Sequence, residues 1–270
     1  MKRIVSLAIL LAAAFHISAE AKVRLPSVLS DGMVLQRDMP AMIWGWADSG
    51  ETFWIEWNGA GFMVTAEEDG SWSAELPATK AGGPYTLTVG DIVLNDILVG
   101  DVFLCSGQSN MELPVRRVTD MFADEVADYE NAQIRHYIVP KVFDFKAPQE
   151  DTPESHWKKC TQENVMEFSA LAYFFAKEIY RNTGVPVGLV NASWGGTPVE
   201  AWTSEDALKD FPKHINEKRL YEDSGYRDRI KQIEGENFHH WNTVLHEGDP
   251  GHHESPAWYE EDYAESAGND

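Results

Sequence analysis

Ser109 follows Gly107 and Gln108 at the end of the apolar run Val102-Phe103-Leu104-Cys105. Four apolar residues without alternation, bounded by turn formers, predict a central parallel strand covered on both faces. Open α/β sheets place their ligands at the carboxyl ends of such strands. A serine there, with Gly107 allowing a sharp turn, has the setting of an exposed nucleophile. If a helix starts just after it, the first free amides point at the anion that attack creates. A helix cap is the other use of such a serine.

A second stretch fits the same chemistry. Val187-Gly188-Leu189-Val190 predicts another buried strand, and Asn191-Ala192-Ser193-Trp194-Gly195-Gly196-Thr197-Pro198 follows it. Two glycines at a strand end make a tight turn whose N–H groups stay available, as an oxyanion hole requires. Thr197 is expected to cap a helix with Pro198 in its first turn. A purely structural turn is the alternative reading.

These residues need a scaffold. From Lys22 to about Ile97, strands are expected at Met33–Gln36, Met42–Trp46, Thr52–Trp57, Gly61–Ala66, Trp72–Leu76 and Tyr85–Val89. Turn formers such as Asn58-Gly59 and Asp69-Gly70 separate them, as in a small β-sandwich. Trp44, Trp46, Trp54, Trp57 and Trp72 either fill its core or offer flat faces to a sugar; core filling is the expected role. The pattern then changes to alternating strands and helices, which sets a domain boundary near Asp96–Gly100. Asp120–Tyr129 reads as a short helix and Gln133–Val139 as a strand. Pro140–Thr161 reads as an irregular connection. Phe168, Leu171, Ala172, Phe175 and Ile179 recur at helical spacing, and Gly184 ends that helix. Strand, helix, strand order implies right-handed crossovers and a largely parallel sheet.

The string Gly107-Gln108-Ser109-Asn110-Met111 resembles the nucleophile block of SGNH (GDSL-like) hydrolases, in the form found in sialate O-acetylesterases and related carbohydrate acetylesterases. Leu25-Pro26-Ser27 and Asp31–Gln36 are similar to the N-terminal segment of the bacterial members. The resemblance implies an α/β fold: an N-terminal β-sandwich over 22–97, then an SGNH-like three-layer domain over 98–270. It implies Ser109 as nucleophile, with the amides of Ser109 and Gly196 as the oxyanion hole and Gly195 as the competitor to Gly196. It also implies removal of O-acetyl groups from sialic acids or related sugars, acetylated xylan being the runner-up substrate. A non-catalytic carbohydrate-binding fragment is the competing class.

The pattern requires two further blocks. Gln232-Ile233-Glu234-Gly235-Glu236-Asn237 echoes one, but Asp228–Lys231 precedes it where a buried strand belongs. Asp249-Pro250-Gly251-His252 has the Asp-x-x-His spacing, yet it lies in a polar acidic tail with no strand before it. The catalytic histidine and aspartate are therefore expected outside this chain, and the α/β domain is expected to be incomplete at its C-terminus. Ser204–Asp210 and Ile215–Glu236 are charged helix formers. From Gln232 to Asp270 ten Asp and Glu stand against no Lys or Arg. The histidines among them, His239, His240, His246, His252 and His253, suggest zinc, but a solvated insertion is the expected reading.

Lys2 and Arg3 before an apolar run, closed by Ala19-Glu20-Ala21, read as a signal peptide over 1–21 rather than a membrane anchor. That places the mature protein in the periplasm or outside the cell. Cys105 and Cys160 are the two cysteines, and sequence alone leaves their pairing open. A net charge of −22 argues against nucleic acid and anionic membrane surfaces as partners, and for small, weakly charged substrates. Arg116 and Arg117 either meet a substrate carboxylate or are solvated. No metal or organic cofactor is expected.

Overall fold

A computed structural model describes residues 23–127 and 129–249. The signal peptide expected over 1–21, and His252 and His253, lie outside the described residues. Strands β1 (Val34–Gln36), β2 (Ala41–Trp46), β3 (Thr52–Trp57), β4 (Ala60–Thr65), β5 (Ser71–Leu76) and β6 (Gly82–Val89) form where turn residues bound aromatic and branched runs. Asn58 and Gly59 both take positive φ, 47° and 80°, which gives the tight β3–β4 hairpin its favoured twist. Strand β7 (Ile92–Gly107) is the spine. Its first half pairs antiparallel with β6, Leu98–Gly100 pairs parallel with β1, and Asp101–Gly107 pairs parallel with β10 (Val187–Ser193).

The central sheet runs β4-β3-β6-β7-β10-β8-β9, where β8 is Asn131–Ile138 and β9 is Trp157–Cys160; β2 and β5 form a separate pair. Ile43, Trp72 and Leu76 of that pair share one core with Ile55, Trp57, Leu87 and Ile97 of the large sheet. A second core lies on one face of β7, β10 and β8. There Cys105, Leu189 and Ile134 meet Phe168, Ala172, Tyr173 and Ala176. The last three belong to helix α4 (Ala170–Thr183), reached after α1 (Ser109–Glu112), α2 (Thr119–Val126) and α3 (Gln162–Val165). Ser169 caps α4 by accepting from the Ala172 N–H, and Gly184 ends it in the left-handed conformation. Arg135, 2% exposed, pins β8 to the turns before β1 and inside β7 by donating to Gly32 O and both Asp96 oxygens.

Several expectations need correcting. No break falls at Asp96–Gly100, because β7 runs through it; a β-carbon at Gly100 would collide with the Pro186 carbonyl, so that glycine serves close packing. The described residues instead pack as two compact units, 23–142 with 149–197, and 143–148 with 198–249. Leu104 is 70% exposed, Val102 and Phe103 are half-buried, and Cys105 alone of Val102–Cys105 is buried. The connection Pro140–Thr161 contains β9, antiparallel to β8. The buried residues of α4 are Ala170, Ala172, Tyr173 and Ala176, whereas Leu171 faces outward and the partly exposed Phe175 packs edge-on against Phe103 of β7. Trp57 and Trp72 fill the first core and Trp46 lies under the Arg24 guanidinium. Trp44 and Trp54 remain exposed, at 39% and 46%.

The second unit is built differently. Val199–Trp202 forms a 3-10 turn, with α5 (Pro212–Glu222) and α6 (Ser224–His240) after it. Pro198 precedes that turn as its cap residue, so the α-helix expected to start at Thr197 does not form. The single helix read over Ile215–Glu236 is split at Asp223, whose side chain accepts from Gly225 and Tyr226 and caps α6. No residue of α5 or α6 is buried. Among the described residues, no helix is long and apolar enough to cross a membrane.

Candidate active site

The ends of β7 and β10 bring the two sequence blocks together. Register runs Leu189↔Phe103 through Ser193↔Gly107, and Trp194 then donates to Gly107 O at 2.9 Å. Gly107, at φ 143°, turns the chain from β7 into α1, whose first residue is Ser109. The serine is exposed. A β-carbon placed on Gly195 would sit 3.5 Å from Ser109 Oγ, so the glycine turn lies beside the hydroxyl. Gln108 links the two: Ser109 Oγ donates to its Oε1 at 3.2 Å, and its Nε2 donates to Thr197 O at 3.2 Å. Thr197 Oγ1 donates back to Trp194 O at 2.6 Å, which closes the turn on itself.

The amides of the site differ. Those of Ser109 and Gly196 have no hydrogen-bond partner among the described residues, while Gly195 N–H donates to Glu112 Oε2. Gly196 adopts φ 79°, and a β-carbon there would meet nothing within 4 Å. Free amides beside an exposed serine suit an anion forming on a carbonyl oxygen. Lys141 Nζ bonds to Glu112 Oε1. That ammonium first, with the Gly195 amide behind it, holds the Glu112 carboxyl below the usual carboxylate range. Sequence reasoning passed over Glu112 and Lys141. The one available signal was spacing, since Glu112 stands three residues after Ser109 and one helical turn puts both on the same side.

Other candidates lie elsewhere. The hydrogen bond of Ser109 Oγ goes to Gln108 rather than to a histidine. Arg116 is half-exposed with Glu167 at 3.8 Å, and Arg117 is exposed. Gln232–Asn237, the echo of the third block, lies within α6 of the second unit. Asp249 is described in that unit and His252 is not. Cys105 and Cys160 are unpaired thiols in the second core; burial pushes the Cys160 thiol up to about 11. No cluster of three or more His, Cys, Asp or Glu is placed to hold a metal among the described residues.

Residues 99–246 match the family model described as carbohydrate esterase, sialic acid-specific acetylesterase. The human sialate O-acetylesterase is 31% identical over 219 residues, which cover 71% of this chain and 41% of that protein. The rat protein of that name is 31% identical over 208 residues, covering 69% and 38%. A crystal structure of a carbohydrate acetylesterase from Xanthomonas citri superposes with a TM-score of 0.66 at 43% identity, covering 69% of this chain and 43% of that one. The chain thus spans about two fifths of the length of the curated relatives it matches. With the match reaching from β7 through the glycine turn into the second unit, this chain belongs to the sialic acid-specific acetylesterase family of carbohydrate esterases.

Proposed function

We propose that this chain carries the nucleophile and oxyanion hole of an esterase that removes O-acetyl groups from sialic acids or related acetylated sugars. The observation behind this is the pair of unpartnered amides, Ser109 and Gly196, beside an exposed serine hydroxyl. Ser109 Oγ attacks the acetyl carbonyl, and the two N–H groups hold the oxygen that becomes negative. A histidine takes the serine proton and returns it to the departing sugar hydroxyl; water then releases acetate by the same route. We place that base, with its orienting carboxylate, in the part of the relatives' length that this chain does not span.

Two coarser readings accompany this one. The shared core of the β2–β5 pair and the first half of the large sheet supports reading β1–β6 with the first half of β7 as a β-sandwich that runs on through β7 into the α/β part. The leader read over 1–21 favours secretion or the periplasm. Exposed Arg116 and Arg117 give sialate no clear advantage over acetylated xylan, so the choice between them rests on the relatives' names.

The test is the Ser109→Ala variant of the full-length protein, assayed on an aryl acetate, O-acetylated sialic acid and acetylated xylan. Loss of a serine nucleophile costs about 10⁴- to 10⁶-fold in turnover while the fold survives. Near wild-type turnover by the variant would remove Ser109 from the chemistry.

A further inference from the structure

We infer that Glu112 is a positioning residue: with Lys141 it holds the Gly195-Gly196 turn against Ser109 and leaves Gly196, not Gly195, as the second oxyanion donor. This rests on the esterase reading above and settles within it a choice between neighbouring glycines. Helix α1 is a single turn whose first residue is the serine and whose last is the glutamate. The Glu112 carboxylate divides its oxygens, Oε2 taking the Gly195 N–H and Oε1 the Lys141 ammonium. Three segments therefore meet on one side chain: the nucleophile helix, the residues after β8 and the turn after β10. Lys141 also lies 5.5 Å from the centre of the Trp194 ring, on the residue that leads into the turn.

Charge explains why two residues are needed. Charge-assisted hydrogen bonds are about twice as strong as neutral ones, so a carboxylate grips an amide better than a neutral acceptor would. A lone carboxylate near Ser109 would also repel the oxyanion, and the bonded ammonium offsets that charge. A β-carbon on Gly195 would stand 2.5 Å from Oε2, so a side chain there would push the Glu112 carboxylate off the amide. An amide already given to a carboxylate cannot be the donor that waits for substrate, whereas the Gly196 amide has no partner among the described residues.

The experiment follows glycine amide exchange in selectively ¹⁵N-glycine-labelled full chain at neutral pH, together with kcat and KM on an aryl acetate. In the wild type, Gly195 N–H exchanges slowly and Gly196 N–H quickly. Glu112→Ala abolishes the Gly195 protection and lowers kcat about 10²-fold with KM little changed, the scale of loss for a displaced catalytic geometry. Lys141→Met, at a half-exposed position, gives a smaller loss in the same direction. Without Lys141 the Glu112 carboxyl titrates higher; since the ionised form is the working one, the acid limb of kcat moves to higher pH. Lys141→Arg restores both. Unchanged Gly195 protection in Glu112→Ala, or unchanged kcat, overturns the inference. Activity that survives Ser109→Ala overturns the esterase reading instead, and the exchange measurement tells the two failures apart.

Discussion

The two compact units show opposite ways of holding a chain together. In 23–142 with 149–197, strands bury Ile43, Ile55, Leu76, Leu87, Val187 and Leu189 completely, and two cores fix the ends of β7 and β10. In 143–148 with 198–249, α5 and α6 bury nothing; Phe238 is 72% exposed, and order comes from capping by Asp223 and local pairs such as Lys218–Glu222. Hydrophobic burial supplies most of the free energy of folding, whereas helical ion pairs add only a few tenths of a kcal/mol each. A catalytic geometry has to sit on rigid elements, so Ser109 and the glycine turn belong where the cores are.

Matched truncations test this contrast most directly. Trp57 is buried with its Nε1 donating to Thr79, and Trp57→Ala should cost about 3 to 5 kcal/mol in denaturant unfolding. Phe238→Ala should stay within about 0.5 kcal/mol, as exposed substitutions do. Equal costs would mean that α6 has a packed face in solution.

Acid should then weaken the cored unit. His136 is buried on β8 and stacked 4.5 Å from Phe168, with neither ring nitrogen hydrogen-bonded among the described residues. Burial first, then the charge of Lys158, pushes it from 6.5 down to about 3. Below the ordinary histidine value the unfolded chain takes up a proton that the folded chain refuses. Stability is therefore whole above about 6.5 and falls by about 1.4 kcal/mol per pH unit between there and the folded value. His136→Phe, which keeps a stacking ring, should flatten that limb in urea melts run at pH 7 and pH 5. An unchanged slope would mean that His136 is solvated or partnered.

The smallest effect belongs to α6. Gly235 lies in its middle, and an added β-carbon meets nothing within 4 Å. Gly235→Ala should stabilise this helix by about 0.5 to 1 kcal/mol, read as slower amide exchange in α6 alone. Slower exchange in β7 as well would join the two units energetically.

The same contrast decides what could be read from residues. The β3–β4 hairpin was legible because Asn58-Gly59 announces its turn, and the start of β5 because Asp69-Gly70 stands before it. Ser109 and the Gly195-Gly196 turn were legible because both sit at the ends of apolar runs. Strand β9 was missed because Lys158 and Lys159 fill its middle, and only Trp157 and Cys160 mark its buried ends. The continuity of β7 was missed because Asn95, Asp96 and Gly100 look like breakers. Asp96 instead takes positive φ and binds Arg135, a long-range contact that no local pattern carries. The part played by Glu112 was invisible for the same reason, its partners being Lys141 and Gly195.

The unbroken spine also sets a timetable. As the chain leaves the ribosome, the first half of β7 finds β6 and β1 already made, whereas its second half waits for β10. Translation at about 5 to 20 residues per second puts roughly 4 to 17 seconds between Gly107 and Ser193. Through that interval Val102–Cys105 lacks its β10 partner, and an unpaired strand edge is the kind of surface that captures other extended chains. Slowing synthesis between those two points should raise aggregation during expression, and supplying holdase chaperone should reverse it.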